Sequence, residues 1–152
     1  MVIVMFDNNL KYCREELEMT QAELGYVFGV SDASVRSWEN AKDPMPLTKL
    51  IKFCNLYDYS LDYVVGLTRR NIKYGKFETN KIQIGNKLKE LRNMLNLTQQ
   101  KLADECKIVQ TTYSGYETGH YLINTANLYY ICKTYNISID WVVGRSKDIY
   151  IK

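Results

Sequence analysis

The chain has 152 residues, of which 46% are hydrophobic and 24% charged, and its net charge is +3. This composition is sufficient for packed cores and is unlike that of a disordered chain. Since no run approaches about 18 consecutive apolar residues, we expect no membrane-spanning segment. The apolar residues 2–6 follow no basic residue and precede no small-residue cleavage site, so we interpret them as a short strand or packing segment and not as a signal peptide. A charge this small does not by itself indicate a nucleic-acid partner.

The chain contains few groups that support redox, metal or catalytic chemistry. It has one histidine and four cysteines, which form no Cys-x-x-Cys pair: Cys13, Cys54, Cys106 and Cys132. We therefore expect no zinc site, and reduced thiols favour a cytoplasmic location. The apolar surroundings of the cysteines favour a role in core packing. No nucleophile–base pair and no phosphate-binding glycine loop occurs, so we expect neither an enzyme nor a bound cofactor.

The chain repeats itself without a gap at an offset of 78 residues. The identical pairs include Arg14 with Arg92, Thr20 with Thr98, Gln21 with Gln99, Leu24 with Leu102, Glu39 with Glu117, Ser60 with Ser138, and 64–66 with 142–144. A single internal duplication explains this pattern, and each copy is long enough to form its own core.

Hydrophobic periodicity and capping residues predict five helices in each copy. The predicted ranges are 9–18, 21–28, 32–40, 47–57 and 61–65 in the first copy, and 87–95, 99–106, 110–118, 125–135 and 139–144 in the second. The alternating residues 81–84 favour a strand, with 149–151 or 2–6 as its partner. These assignments predict a first domain at 1–68, a basic linker at 69–85 and a second domain at 86–152.

The stretch 98–117 has the pattern of two short helices joined by a tight turn. Thr98 is a good N-cap, and the small Ala103 allows a second helix to cross closely. Short uncharged side chains mark the outward face of the second helix: Gln110, Thr111, Ser114 and Gly115. Such polar groups can donate to and accept from the edges of DNA bases.

This stretch resembles the helix-turn-helix of the Cro/phage-repressor family of bacterial regulators, and the repeat supplies a second copy. The resemblance covers about 8–68 and 86–146. It implies an all-α protein with two tandem five-helix lambda-repressor-like domains joined by a linker. It also implies a transcriptional regulator that binds double-stranded DNA sequence-specifically, with the third helix of each copy in the major groove.

The resemblance further implies which residues contact DNA. The base-reading positions are Gln110, Thr111, Ser114 and Gly115 in the second copy, and Asp32, Ala33, Arg36 and Ser37 in the first. The phosphate-contacting positions are Gln99, Lys101, Thr118 and His120 in the second copy, and Gln21, Asn40 and Lys42 in the first. Two residues depart from the family pattern: Lys107 replaces the turn glycine Gly29 of the first copy, and Gly115 lies inside a helix. Each departure costs about 1 kcal/mol.

Other prominent residues are better explained by folding than by function. We expect Glu39 to pair with Arg14, and Glu117 with Arg92, because the two pairs share the same spacing. The apolar residues of the third helices are expected in the core: Val35, Trp38, Tyr113 and Tyr116.

The two copies differ in charge, which leaves two functional interpretations. Residues 7–68 hold six basic and ten acidic residues (net −4), 69–85 hold five and one (net +4), and 86–146 hold seven and five (net +2). Phosphate contacts supply most non-specific affinity, so the first copy is expected to bind DNA more weakly or more selectively than the second. The alternative is a protein-interaction module, in which the acidic first copy binds a partner such as a toxin or an anti-repressor. Homodimerisation also stays open, through apolar surface left exposed by Ile137, Ile139, Trp141 and Val142 or by their counterparts in the first copy.

Overall fold

The structure, a computed structural model, describes residues 8–152, so the predicted packing segment 2–6 lies outside the described residues. The chain divides into two compact units, with the boundary between Lys73 and Tyr74. All regular elements in the described part are helices, apart from one isolated antiparallel bridge between Ile137 and Tyr150. The predicted all-α class is therefore confirmed. No helix in that part is long and apolar enough to cross a membrane.

The first unit contains five helices: α1 (Leu10–Glu16), α2 (Gln21–Phe28), α3 (Asp32–Glu39), α4 (Leu47–Tyr57) and α5 (Leu61–Val64). A capping box starts α2, because the Thr20 side chain accepts from the Glu23 amide while the Glu23 side chain accepts from the Thr20 amide. Gly29 ends α2 with φ of 66°, as predicted for the turn. The turn brings α3 against α2, which is the helix-turn-helix of the first copy.

The second unit repeats this arrangement with α6 (Lys81–Met94), α7 (Gln99–Cys106), α8 (Gln110–Thr118), α9 (Thr125–Tyr135) and α10 (Ile139–Val142). Lys107 ends α7 with φ of 56°, so it adopts the left-handed conformation expected from its alignment with Gly29. All predicted helices except the sixth agree with the structure to within two residues at each end.

The sixth helix begins earlier than predicted, and the predicted strand at 81–84 is wrong. Asn80 caps the helix, because its side-chain oxygen accepts from the amides of Ile82 and Gln83. The buried residues of α6 have helical spacing: Ile84, Leu88 and Leu91. Ile82 is 57% exposed and only Ile84 faces the core. The alternation of the two isoleucines therefore resembled the pattern of a strand although the segment is helical. Residue Tyr150 of the other predicted strand forms its bridge with Ile137.

A glycine allows α6 to cross the end of α8 at very short range. A Cβ atom added at Gly85 would lie 2.3 Å from the carbonyl oxygen of Tyr116 and 2.6 Å from that of Glu117. Only a residue without a side chain fits this contact, because the neighbouring atoms are backbone. The crossing fixes the carboxyl end of α8 within the second domain.

The predicted core residues are buried in both domains. Less than a tenth of each of the following residues is exposed: Val35, Trp38, Tyr113, Tyr116 and the four cysteines. Burial raises the pKa of the Cys13 thiol to about 12, which keeps it protonated and unreactive. The apolar residues that suggested a dimer surface are also buried inside the second domain: Ile137, Ile139, Trp141 and Val142. The sequence-based suggestion that they leave apolar surface exposed is therefore wrong.

Candidate nucleic-acid interface

A buried ion pair holds the end of α8 against α6. Arg92 donates from Nε to Oε2 of Glu117 at 2.6 Å and from Nη2 to Oε1 at 3.1 Å. Its Nη1 donates to the carbonyl oxygen of Leu97 at 2.8 Å. Gln99, the first residue of α7, donates to Oε1 of Glu117 at 3.1 Å. This network confirms the predicted pairing of Arg92 with Glu117 and joins both helices of the motif.

The first copy contains the same network at the same distances. Arg14 donates to Glu39 at 2.6 and 3.1 Å, and to the carbonyl oxygen of Met19 at 2.8 Å. Gln21, the first residue of α2, donates to Glu39 at 3.1 Å. The predicted pairing is confirmed here too, and both copies have the helix-turn-helix geometry whatever each one binds.

The network keeps the Glu117 carboxyl ionised. Burial raises the pKa of Glu117, but the hydrogen bonds from Arg92 and other side chains outweigh burial, so the pKa lies below its usual value. The same bond to Glu117 raises the pKa of Arg92. The pair is thus fully charged over the whole neutral range and stabilises the domain there.

Gln110, the first residue of α8, is half-buried and positioned by a second glutamine. Its Nε2 donates to Oε1 of Gln99 at 3.0 Å. Nε2 keeps its other hydrogen, and Oε1 of Gln110 keeps both lone pairs. The amide therefore retains the donor and the acceptor that a bidentate contact with adenine requires. Thr111 is exposed and Ser114 is half-exposed on the same helix.

Gly115 shares a face of α8 with Thr111, where the sequence placed it, but it is covered there. It is buried, and a Cβ atom added there would lie 2.4 Å from Cδ2 of Tyr121. The ring of Tyr121, which is 51% exposed, covers this position of α8. The sequence interpretation missed Tyr121. The repeat contained a sign of this contact. Gly115 and Tyr121 align with Ser37 and Asp43 of the first copy, so both residues change together between the two copies.

The predicted base-reading residues of the first copy are paired with acidic side chains. Arg36 lies 3.5 Å from Asp32 in an ion pair whose two side chains are about half exposed. Ser37 donates from Oγ to Oδ2 of Asp43 at 2.7 Å. Ala33 is exposed, and its backbone amide donates to Asp32. The exposed edge of α3 and the loop after it therefore present carboxylates, whereas the edge of α8 presents amide and hydroxyl groups.

The predicted phosphate-contacting residues lie near both ends of the motif. Gln21 and Gln99 are half-buried at the first positions of α2 and α7. Lys101 is exposed and forms an ion pair with Glu105 at 3.6 Å. Four others are exposed at the end of the third helix or in the loop after it: Thr118, His120, Asn40 and Lys42.

Comparison with known proteins supports the same assignment for both copies. A family model described as a helix-turn-helix domain matches residues 85–145, and one described as helix-turn-helix matches residues 10–64. The uncharacterised HTH-type transcriptional regulator YobD of Bacillus subtilis is 31% identical over 77 residues, which cover 45% of this chain and 69% of the relative. The transcriptional repressor RstR of the cryptic phage CTXphi, from Vibrio cholerae, is 39% identical over 64 residues, which cover 42% and 57%.

These matches define the class. The chain belongs to the XRE-type helix-turn-helix family of transcriptional regulators and contains two tandem copies of the domain. It is a DNA-binding regulator of transcription. The matched region spans 53% to 69% of the length of the relatives YobD, RstR and YqaE, the last an uncharacterised regulator of Bacillus subtilis.

Proposed function

We propose that this chain is a sequence-specific regulator that carries two reading heads for double-stranded DNA, with the second copy as the stronger head. The outward edge of α8 carries the proposal. Its polar side chains are exposed or half-exposed, and a hydrogen bond to Gln99 orients the side chain of Gln110. Folding does not require the polarity of this edge. The name of the phage repressor among the relatives supports repression as the outcome of binding.

The second copy reads bases through the first turns of α8. Gln110 makes a bidentate contact with adenine, while Thr111 contacts a neighbouring base, including the methyl group of thymine. Ser114 lies one turn further along the helix. Each good bidentate contact contributes about 1–3 kcal/mol of discrimination against a wrong base.

Phosphate contacts flank the reading positions and fix the register of the helix in the groove. Gln99 keeps one side-chain hydrogen for a phosphate after bonding to Glu117. Lys101, Thr118 and His120 are exposed around the motif. The net charge of +2 over residues 86–146 favours this copy over the first, whose net charge is −4 over residues 7–68.

The first copy acts as the weaker or more selective head. Arg36 suits guanine, but its guanidinium must first leave Asp32. Asp43, which holds Ser37, adds a second carboxylate beside the groove. Gln21, Asn40 and Lys42 supply its phosphate contacts.

The same carboxylates favour a second candidate function for the first copy, namely binding of a partner protein. In that case α3 and the loop after it present Asp32 and Asp43 to a basic protein surface, and only the second copy binds DNA.

Selection of bound sites from random duplexes with the full chain tests both proposals. Two reading heads predict an enriched site with two conserved segments, since each head reads its own set of base pairs. A single short segment would favour the protein-binding role of the first copy. Absence of any enrichment would contradict sequence-specific binding altogether.

A further inference from the structure

We propose that Tyr121 is a DNA-backbone contact of the second copy, whose hydroxyl donates a hydrogen bond to a phosphate oxygen beside α8. This inference rests on the proposed function, which places α8 against a duplex. Tyr121 is not among the residues that the family resemblance points to, and it was absent from the predicted interface.

The Tyr121 ring and the backbone of the loop that carries it both contact Gly115. Its Cδ2 and Cε2 atoms would lie 2.4 and 2.7 Å from a Cβ atom at Gly115, so the ring lies directly on the bare backbone of α8. The amides of His120 and Tyr121 both donate to the carbonyl oxygen of Gly115, at 2.9 and 3.1 Å. Gly115 thus holds the loop and leaves room for the ring.

The ring lies on the face of α8 that carries Thr111. Gly115 follows Thr111 by four residues and precedes Thr118 by three, which places all three on one side of the helix. Tyr121 is 51% exposed there. Its hydroxyl has no hydrogen-bond partner within residues 8–152, so the group is available to a ligand.

The first copy places a different chemical group at the same point. There Ser37 replaces Gly115 and Asp43 replaces Tyr121, and the Ser37 hydroxyl donates to the Asp43 carboxylate at 2.7 Å. The amides of Lys42 and Asp43 donate to the Ser37 carbonyl oxygen, at 3.0 and 3.4 Å, as in the second copy. A carboxylate repels a phosphate, whereas a phenol donates to one. This position therefore separates a copy that accepts the DNA backbone from one that resists it.

A phenol contact has a recognisable signature in solution. It carries no charge and releases no counterion, so its loss leaves the dependence of affinity on salt unchanged. It touches the backbone and not the bases, so its loss weakens enriched and random duplexes by the same factor. A hydrogen bond to a charged group of this kind corresponds to about a tenfold change in affinity.

The test uses the full chain, the duplex enriched by the selection, and a random duplex of equal length. We expect Tyr121→Phe to weaken both duplexes about tenfold with an unchanged salt slope. Tyr150→Phe is the matched control, because Tyr150 is 55% exposed in the same domain but lies beside Ile137. It should leave both affinities unchanged.

Three results would overturn the inference. Unchanged affinity in Tyr121→Phe, while Gln110→Ala with Thr111→Ala still weakens the enriched duplex, would remove Tyr121 from the interface and leave the proposed function intact. A loss confined to the enriched duplex would assign Tyr121 to base reading. If the selection enriched no duplex and the intact chain bound no random duplex, the proposed function would fail together with the contact.

A second variant replaces the pair in the second copy by its counterpart. Gly115→Ser with Tyr121→Asp should fold normally, because the first copy accommodates the same two residues on the same loop. We expect a larger loss of affinity than in Tyr121→Phe, and a loss that grows at low salt because like charges repel. Unchanged affinity at an unchanged unfolding temperature would contradict the inference.

Discussion

Gln110 donates to Gln99 through their side chains at 3.0 Å, so the first residue of α8 is tied to the first residue of α7. Gln99 in turn donates to the buried Glu117. A chain of hydrogen bonds therefore runs from the outward edge of the motif to the ion pair in its interior. In the first copy, Asp32 occupies the position of Gln110 and pairs with Arg36 instead. The two copies thus share a scaffold and differ in the group it orients.

Replacing the two leading residues of α8 should reduce specific binding much more than non-specific binding. Gln110→Ala with Thr111→Ala removes contacts to base edges but no charge, so we expect a loss of about 10- to 100-fold on the enriched duplex and little change on a random one. Titration of both duplexes by fluorescence anisotropy measures the difference. Gln100→Ala, an exposed α7 glutamine bonded to Asp104, is the control. Equal losses on both duplexes would count against base reading.

Removing the two carboxylates beside α3 should strengthen DNA binding if the first copy contacts DNA. Asp32→Asn with Asp43→Asn releases Arg36 from its ion pair and removes two like charges from the vicinity of phosphates. We expect tighter binding with a steeper salt dependence, measured by affinity at several salt concentrations.

The control for this variant removes two charges elsewhere in the first domain. Glu15→Gln with Glu18→Gln changes the net charge equally at exposed positions outside α3. A gain in the first variant alone indicates a local effect. Unchanged affinity in both would favour the protein-binding role of the first copy.

Acid should destabilise the second domain through Glu117. Because its folded pKa lies below the usual 4.5, its ionised form contributes stability that is fully present above that value and is lost as the pH falls through the folded pKa. Glu117→Gln should lower stability at neutral pH by about 3 kcal/mol, since it leaves the largely buried Arg92 side chain without its counter-charge. It should also reduce the stability lost on acidification.

The fluorescence of Trp141 in a Trp38→Tyr background reports unfolding of the second domain alone. Tyrosine suits this position, because Tyr116 occupies it in the second copy. An acid-dependent loss of stability as large in Glu117→Gln as in the parent would show that other carboxyls govern the response.

A reciprocal exchange at the turn should move stability in opposite directions. Lys107 and Gly29 both have positive φ, of 56° and 66°, a conformation that costs a residue with a side chain about 1 kcal/mol. Lys107→Gly should therefore stabilise the second domain by about 0.5–1 kcal/mol, and Gly29→Lys should destabilise the first by a similar amount. Chemical denaturation of each variant measures both changes. Equal signs in the two variants would contradict this explanation.

A methyl group at Gly85 should destabilise the second domain by about 2 kcal/mol. Alanine normally stabilises a helix relative to glycine, but here its Cβ would lie 2.3 Å from a backbone oxygen of α8. Asn86→Ala, at the exposed next position of α6, controls for helix propensity. Thermal unfolding compares the two variants, and a more stable Gly85→Ala protein would show that α6 and α8 can separate at little cost.

Most of this fold could be predicted from the sequence, because capping residues and hydrophobic periodicity indicated the same helices in both copies of the repeat. Thr98 caps α7 as predicted, and the paired spacing of Arg14 with Glu39 identified a real contact. The start of α6 was missed because two isoleucines alternate there, and alternation does not reveal which of them is buried.

The candidate site was less predictable than the fold. Gly115 was placed on the outward face by its position in α8, but that position cannot show that Tyr121, six residues later, folds back over it. The link between Gln99 and Gln110 likewise joins two helices, and its existence depends on how they cross. Features of this kind need a known tertiary structure, because they depend on how closely two elements approach each other.

The arginine–glutamate–glutamine network recurs in both copies with the same lengths and only uses partners from its own copy. Each copy therefore contains every side chain that this network requires. A duplicated unit that supplies its own stabilising contacts can change its exposed residues without losing its fold. The two copies have diverged at such positions, since carboxylates occupy one exposed edge where amide and hydroxyl groups occupy the other.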